Sequence, residues 1–388
     1  MNKRLFFLMS TLIAIGIVFT LSLPIFETLK YGYSSIYFFK KQLIAGAGGL
    51  FFAWLLSFVG NQKWISRICF TALIITALLI VTMPFMPQSM VTKVNGAYRW
   101  IRISGFSLSP VEFFKIGFIY FFAWSFTRKI TYQKPTMSDE FKTLVPYLLL
   151  LFFASFIVAM LQNDIGQVMI LVIVFMLMLL LAGTTFKFIV LGMLFASTIL
   201  GGFIVTSPHR IRRVESWWSG SQDVILSFFP SNVADKLRVD DVEAPYQVGH
   251  SINAINNGGF FGQGLGEGMF KLGFLSEVHT DFVLSGMIEE IGIVGIGAVL
   301  FIFFLFLYQI FSIADMLKEK NRVYYLFSAG IGLMFLFSFL MNGFGVTSII
   351  PIKGIAVPFL SYGGTHILAS CFAVGLILSM SKQKKSEP

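Results

Sequence analysis

Long apolar segments alternate with shorter polar ones along the chain, ten in all, at about 5–25, 42–60, 65–85, 110–128, 144–162, 165–185, 186–206, 282–309, 323–341 and 360–380. A bilayer core of about 30 Å takes roughly 20 apolar helical residues per crossing. The pattern therefore predicts an all-α polytopic membrane protein with ten transmembrane helices, because backbone facing lipid has no water to bond and must satisfy itself within the helix. Lys3-Arg4 followed by an apolar run to Leu23 has the outline of a signal peptide. Pro24-Ile25-Phe26 follows in place of small cleavage-site residues, so the run is expected to remain as the first membrane helix.

An even number of crossings puts both termini on one side. With both inside, the short inner segments hold 15 Lys and Arg, against seven in the outer connections apart from the longest. Short loops carry the positive-inside signal, so N-in and C-in is the expected topology. Three outer segments are too rich in polar and special residues to be mere connections: 93–115, 207–281 and 342–366. Residues 1–388 read as one membrane domain, with 207–281 as a large extracytoplasmic loop between the seventh and eighth helices. All three segments fall on one face of this topology, which a shared extracytoplasmic site would explain.

Composition agrees. The 388 residues are 56% hydrophobic and 12% charged, with a mean hydropathy of +0.80. Topology accounts for most of the net charge of +10, so nucleic acid is not an expected partner and membrane lipids are. Cys69 and Cys371 both lie in apolar runs and are expected to be buried small hydrophobes. His250, His279 and His366 lack metal-ligand spacing. The glycine run from Gly258 to Gly268 matches no G-x-G-x-x-G window, and backbone turns with close packing are expected there.

Ionisable groups at a bilayer edge are costly, which makes them functional candidates. Ser276-Glu277-Val278-His279-Thr280-Asp281-Phe282 crowds three of them where the longest polar segment meets the eighth apolar one. As a helix this stretch stacks Glu277 and Asp281 one turn apart; as an extended strand it alternates Glu277, His279 and Asp281 onto one face. Either way a carboxylate is available to take a proton from a hydroxyl, the alternative being a helix cap. Glu112 and Lys115 pair at i and i+3 just inside the fourth helix, as a salt bridge or as part of an anionic site. Arg99, Arg102, Arg210, Arg212 and Arg213 bring guanidinium groups to the outer surface, suited to phosphate or to lipid headgroups. Lys353 stands between two prolines in an apolar loop, and Glu289 and Glu290 lie within the eighth helix, where a structural role is expected and one of the two should face the bundle interior.

Four ordered blocks carry a resemblance. They are Asn95-Gly96-Ala97-Tyr98-Arg99-Trp100-Ile101 with Ser109-Pro110-Val111-Glu112-Phe113-Phe114-Lys115; Leu161-Gln162-Asn163-Asp164-Ile165-Gly166; Tyr246-Gln247 through the glycine run to His279-Thr280-Asp281-Phe282; and Pro351-Ile352-Lys353-Gly354 with Pro358-Phe359-Leu360-Ser361-Tyr362-Gly363-Gly364. Together they resemble the SEDS family (shape, elongation, division and sporulation) over essentially the whole chain. The resemblance implies polymerisation of lipid II on the outer face of the bacterial cytoplasmic membrane, with Asp281 as the essential carboxylate and general base. It also implies substrate contacts among Arg99, Trp100, Arg102, Glu112, Lys115, Glu277, Lys353 and Ser361. A class B penicillin-binding transpeptidase, with other division proteins, is the implied partner. A divalent cation, Mg2+ or Mn2+, is implied too, with Asp281 and Glu277 as possible ligands. The lysine of Ile352-Lys353-Gly354 favours the division branch over the elongation branch, a lipid II flippase being the rival from another class. Departures from the family pattern are Asn163 for proline, Val111 for serine, His250 for glutamine and Thr365-His366 for a serine pair.

Overall fold

The computed structural model describes residues 2–93, 97–103, 106–130, 137–205, 208–227, 229–239, 246–351 and 354–382. In chain order the helices are α1 (Lys3–Ser22), α2 (Ile25–Lys30), α3 (Tyr37–Leu56), α4 (Gln62–Thr82), α5 (Pro110–Lys129), α6 (Met137–Leu161), α7 (Ile165–Leu181), α8 (Phe186–Val205), α9 (Pro208–Leu226), α10 (Ser231–Leu237), α11 (Tyr246–Gly258), α12 (Val283–Lys318), α13 (Arg322–Val346) and α14 (Gly364–Met380). Each predicted apolar segment falls on one of them. Among the described residues, α1, α4, α6, α12 and α13 are long and apolar enough to cross a membrane. The all-α expectation is met apart from one hairpin, β1 (Ile101–Ile103) against β2 (Phe106–Leu108), with Arg102 opposite Ser107.

Local chemistry sets where the helices begin. Asn2, Asn61, Asp164 and Asn321 each accept a backbone N–H of the helix they precede, supplying a partner to donors with none inside the helix. Pro110 opens α5, where its missing N–H costs nothing. The helices pack chiefly as α3 on α14, α4 on α5, α11 and α13 on α12, and α5 and α7 on α13. Of the long apolar helices α13 is the most enclosed. Cys69 and Cys371 are buried and free, as their apolar surroundings predict.

The connections gather at two ends of the bundle, as alternating crossings require. At one end, Arg322 donates to Ile130 O (2.9 Å) and Ala182 O (2.7 Å), tying together three connections that the topology puts on one side. At the other, Arg99 donates through Nε to Gln162 O and through Nη2 to Asn163 O, both at 2.9 Å. Hydroxyls of the third polar segment reach the first two: Thr365 Oγ1 donates to Ser107 O, and Ser361 Oγ donates to Thr280 O at 2.7 Å.

The eighth apolar segment was expected as one continuous helix. Instead α12 breaks at Gly292, whose φ of 67° is left-handed. The glycine run mends the break. Gln263 and Gly264 N–H donate to the carbonyls of Glu289 and Glu290 (both 2.9 Å), while Ile293 and Val294 N–H donate to Gly259 O (3.0 Å) and Phe260 O (3.1 Å). Irregular backbone is tolerable in a membrane protein only where protein supplies such partners. The two strands approach so closely that a Cβ on Gly292 would lie 2.4 Å from Phe260 O, and one on Gly262 would lie 2.2 Å from Glu290 O. Close packing is thus what the glycine run does.

The break also changes the expectation for Glu289 and Glu290. Both are 1% exposed and both are paired. Glu289 Oε1 accepts Met269 N–H (2.7 Å), Phe270 N–H (3.2 Å) and Asn257 Nδ2 (2.9 Å). Glu290 Oε1 takes Lys271 Nζ at 2.7 Å and the hydroxyl of Ser22. On an isolated helix adjacent residues diverge by 100°, but here the segment 269–271 wraps round to meet both.

Candidate active site

Ser276–Phe282 adopts neither the helix nor the strand that its sequence allows; it is a run of turns ending where α12 begins at Val283. Three N–H groups, those of Thr280 (3.1 Å), Asp281 (3.1 Å) and Phe282 (3.3 Å), converge on Glu277 O. To offer that carbonyl Glu277 holds a φ of 57°, a left-handed conformation costing a side-chain-bearing residue about 1–2 kcal/mol. Phe282 occupies the N-cap position of α12, leaving Asp281 one residue outside it.

The backbone of this turn is held from behind. His279 O accepts Tyr362 N–H (2.8 Å), Thr280 O accepts Ser361 Oγ (2.7 Å), and Asp281 O accepts Asn342 Nδ2 (2.7 Å). Asn342 Nδ2 also donates to Ile355 O at 2.7 Å, and Val357 N–H donates to Ser361 Oγ at 2.8 Å. Gln42 of α3 completes the frame by donating to Ser361 O (3.1 Å) and accepting Gly363 N–H (3.1 Å). Three consecutive carbonyls are fixed, and the half-buried Asp281 carboxylate lies over Gly354: a Cβ there would meet Oδ2 at 2.8 Å.

His279 faces the other way. It is 6% exposed, packed against the rings of Phe38 (5.0 Å) and Tyr362 (5.4 Å), with Nδ1 4.0 Å from Glu27 Oε2. Burial pushes its imidazole down to about 4 and pushes the Glu27 carboxyl up, so the histidine is neutral at pH 7. It serves as a packed neighbour of the turn.

The other expected contact residues divide by environment. Arg99 spends two donors on the carbonyls that end α6, stapling the first block to the second. Asn163 there has a φ of 46°, which a proline ring would forbid. Glu112 and Lys115 pair at 3.0 Å inside the bundle, Lys115 Nζ donates to Gln167 Oε1 (2.6 Å), and Gln167 Nε2 donates to Glu112 Oε1 (3.2 Å). His366, one of the departures, sits with Nδ1 3.1 Å from Glu112 Oε2. This cluster answers its own charges. Ser361, expected at the substrate, is 0% exposed and bonded on both sides, so it positions the Asp281 turn. Trp100, Arg102 and Glu277 are exposed. Asn95, Gly96, Ile352, Lys353 and the side chains of Arg210 and Arg213 lie outside the described residues.

Among the described residues no three His, Cys, Asp or Glu side chains are grouped to hold a metal ion. Glu277, which accepts Thr280 Oγ1 at 2.8 Å, and Asp281 are the carboxylates of the turn. Mg2+ characteristically takes one or two carboxylates together with substrate phosphates. Two carboxylates do not make a protein-only cage, and oxygens of a bound substrate would have to complete such a site.

Sequence reasoning passed over Gln42, Gln167 and Asn342. All three amides are buried, and the signal was there: each is polar within or at the end of an apolar run.

Comparison with known proteins converges on one family. A model of cell cycle proteins of the FtsW, RodA and SpoVE type matches residues 3–386. Among curated relatives, a probable peptidoglycan glycosyltransferase FtsW of Helicobacter pylori (strain ATCC 700392 / 26695) is 43% identical over 99% of both chains. One of Trichlorobacter lovleyi with the same name is 32% identical over 97% of this chain and 92% of its own. Of solved structures, a chain of a peptidoglycan synthase complex that coordinates polymerization and crosslinking superposes with a TM-score of 0.69, at 20% identity, over 98% of this chain and 97% of its own. The rod shape determining protein RodA of Thermus thermophilus gives a TM-score of 0.64, at 20% identity, over 99% and 97%. At that identity the structures establish the fold; the family model and the curated relatives establish that this chain belongs to the FtsW/RodA/SpoVE family of cell cycle proteins.

Proposed function

We propose that this multi-pass membrane protein is a peptidoglycan glycosyltransferase that polymerises lipid II during septal wall synthesis. The curated relatives are named as probable peptidoglycan glycosyltransferases. The observation that carries the mechanism is the Asp281 turn: a half-buried carboxylate next to a helix start, on backbone held at three successive carbonyls.

Asp281 takes the proton of the acceptor sugar's 4-hydroxyl as that oxygen bonds to the donor's anomeric carbon. The bond from that carbon to the pyrophosphate oxygen breaks on the opposite face, giving inversion and free undecaprenyl pyrophosphate. Negative charge develops on the leaving group, and a cation aimed at it lowers the barrier. Arg102, exposed on β1, is the described residue suited to that task, with Lys353 as a further proposal. Arg99 and Lys115 have carbonyl and carboxylate partners of their own. A Mg2+ or Mn2+ ion held by Asp281 and Glu277 together with the pyrophosphate would supply further charge neutralisation. Orientation follows the charge bias, N-in and C-in, with the site on the outer face of the cytoplasmic membrane at the septum. A class B penicillin-binding transpeptidase is the proposed partner, by likeness to the synthase complex.

The test reconstitutes the protein with its transpeptidase and lipid II and compares it with Asp281→Asn. The reading requires glycan polymer from the native protein and its loss in the variant. Polymer undiminished in the variant removes Asp281 as the base; lipid movement with no polymer from the native protein supports the flippase.

A further inference from the structure

Two adjacent tryptophans on α9 donate their indole N–H groups to carbonyls in different parts of the chain. Trp218 Nε1 reaches Leu237 O (2.8 Å), within the same polar segment, whereas Trp217 Nε1 reaches Ser348 O (2.9 Å), just past the end of α13. Ser221 Oγ, one turn further along α9, stands 3.4 Å from that same oxygen. The helix is itself docked: Ser216 and Gln222 are buried, and Gln222 exchanges two bonds with the Val239 backbone (2.9 and 3.0 Å).

Ser348 is an uncommon place for a side chain. Thr347 is the C-cap of α13, and Ser348 follows it with a φ of 61°, in the left-handed region. Glycine usually takes that position, because a Cβ there crowds the following carbonyl. The chain then folds back, with Ile349 and Ile350 N–H donating to Phe344 O (2.8 and 3.2 Å). Beyond Pro351, whose ring fixes φ, comes Gly354, over which the Asp281 carboxylate lies. Asn342 Nδ2 grips the next carbonyl, that of Ile355, at 2.7 Å and holds Asp281 O at 2.7 Å as well.

We propose that Trp217 is a positioning residue for glycan synthesis: by holding Ser348 O it fixes the left-handed exit from α13, and with it the place of Gly354 against Asp281. The inference rests on the polymerase reading and adds to it a control of the Asp281 turn from α9. A strained residue persists only where its surroundings over-determine it, and such positions gather at functional sites. Here the holding comes from another helix, through one indole. Gly354 lies between two grips, Trp217 on Ser348 and Asn342 on Ile355, so its place depends on both. A tryptophan that merely anchors in the membrane interface needs no carbonyl partner in a distant segment. Trp218 beside it supplies the reference, since its bond stays within its own segment.

The experiment compares Trp217→Phe, Trp218→Phe, Ser348→Gly and Trp217→Phe/Ser348→Gly in the full-length protein, reconstituted with its partner transpeptidase and lipid II. Phenylalanine keeps an aromatic ring and removes the N–H donor; thermal unfolding checks that each variant is folded. Misplacing a reacting group by 1 Å can cost about 10²-fold, and a loosened neighbour of that group is expected to cost less: Trp217→Phe lowers kcat about tenfold with KM within about twofold, and Trp218→Phe leaves both within about twofold. Glycine holds the left-handed conformation without help, so the double variant is expected to recover to within about threefold of native. Hydrogen exchange at Ile349 and Ile350 should quicken in Trp217→Phe, stay native in Trp218→Phe and return towards native in the double variant. Equal loss in the two tryptophan variants, or no recovery with glycine at 348, overturns the proposal and leaves α9 as a structural support. So does native activity from Trp217→Phe. Should the native protein make no polymer, the polymerase reading fails, and the exchange at Ile349 and Ile350 still decides whether Trp217 holds the exit from α13.

Discussion

At the Glu112–Lys115 cluster each charge is met from within: Lys115 by Glu112 and Gln167, and Glu112 also by Gln167 and His366. At the Asp281 turn the bonds go to the backbone instead. Asn342, Ser361 and the Tyr362 N–H hold three carbonyls, and the carboxylate lies over a glycine that leaves it room. Both regions hold ionisable groups in a chain that is only 12% charged. The first is tied together through its side chains, and the second through the backbone that carries it. An ionisable residue in a membrane protein is thus a weak sign of chemistry until its partners are known.

The sharpest way to break this contrast is Asp281→Asn. A general base typically contributes 10²–10⁴-fold in rate, so glycan synthesis from lipid II should fall by about that factor in a variant that thermal unfolding shows to be folded. The converse experiment is Lys115→Met, which leaves the Glu112 carboxylate short of its cation inside the bundle. Losing one partner of a buried pair costs about 3–5 kcal/mol, read as a lower unfolding midpoint. The double variant Glu112→Leu/Lys115→Met should recover part of that loss, because no unpaired charge remains.

A smaller effect tests the far side of the turn. The imidazole of His279 is pushed down by burial to about 4 from an ordinary 6.5. Between those pH values the unfolded chain binds a proton that the native protein does not, so stability falls as pH drops through that window. The loss grows as pH falls below 6.5 and is complete only below about 4, and a His279→Phe variant should flatten the profile between pH 6.5 and 4. The smallest is Ser361→Ala, which removes the bond to Thr280 O. A single neutral hydrogen bond is worth about 1 kcal/mol, so the unfolding midpoint should shift slightly, with activity reduced well short of Asp281→Asn.

Much of this molecule is legible in its residue pattern. All the apolar segments are helical, because apolar runs of that length have no other way to satisfy backbone in lipid. The three longer polar segments meet, as Thr365 on Ser107 and Ser361 on Thr280 attest. Residue type alone left Asp281 open between a base and a helix cap; the resemblance carried by the four blocks singled it out. What could not be read was partnership. Nothing local distinguishes Ser361 as a pin from Ser361 as a ligand, or Glu112 as a neutralised charge from Glu112 as a binding group. Gln42, Gln167 and Asn342 were overlooked because an isolated amide in an apolar run shows no motif.

The sequence by itself determined the helices and the residue types gathered between them, since these follow from hydropathy and turn residues acting over a few positions. Only the tertiary structure decided that α12 breaks at Gly292, that the glycine run fills the gap, and that Asp281 stands on a clamped turn. Those outcomes depend on contacts such as Gln263 N–H to Glu289 O and Ser361 Oγ to Thr280 O, between residues far apart in the chain. Periodicity reports which face a residue presents; it carries no information on which distant group will meet it there.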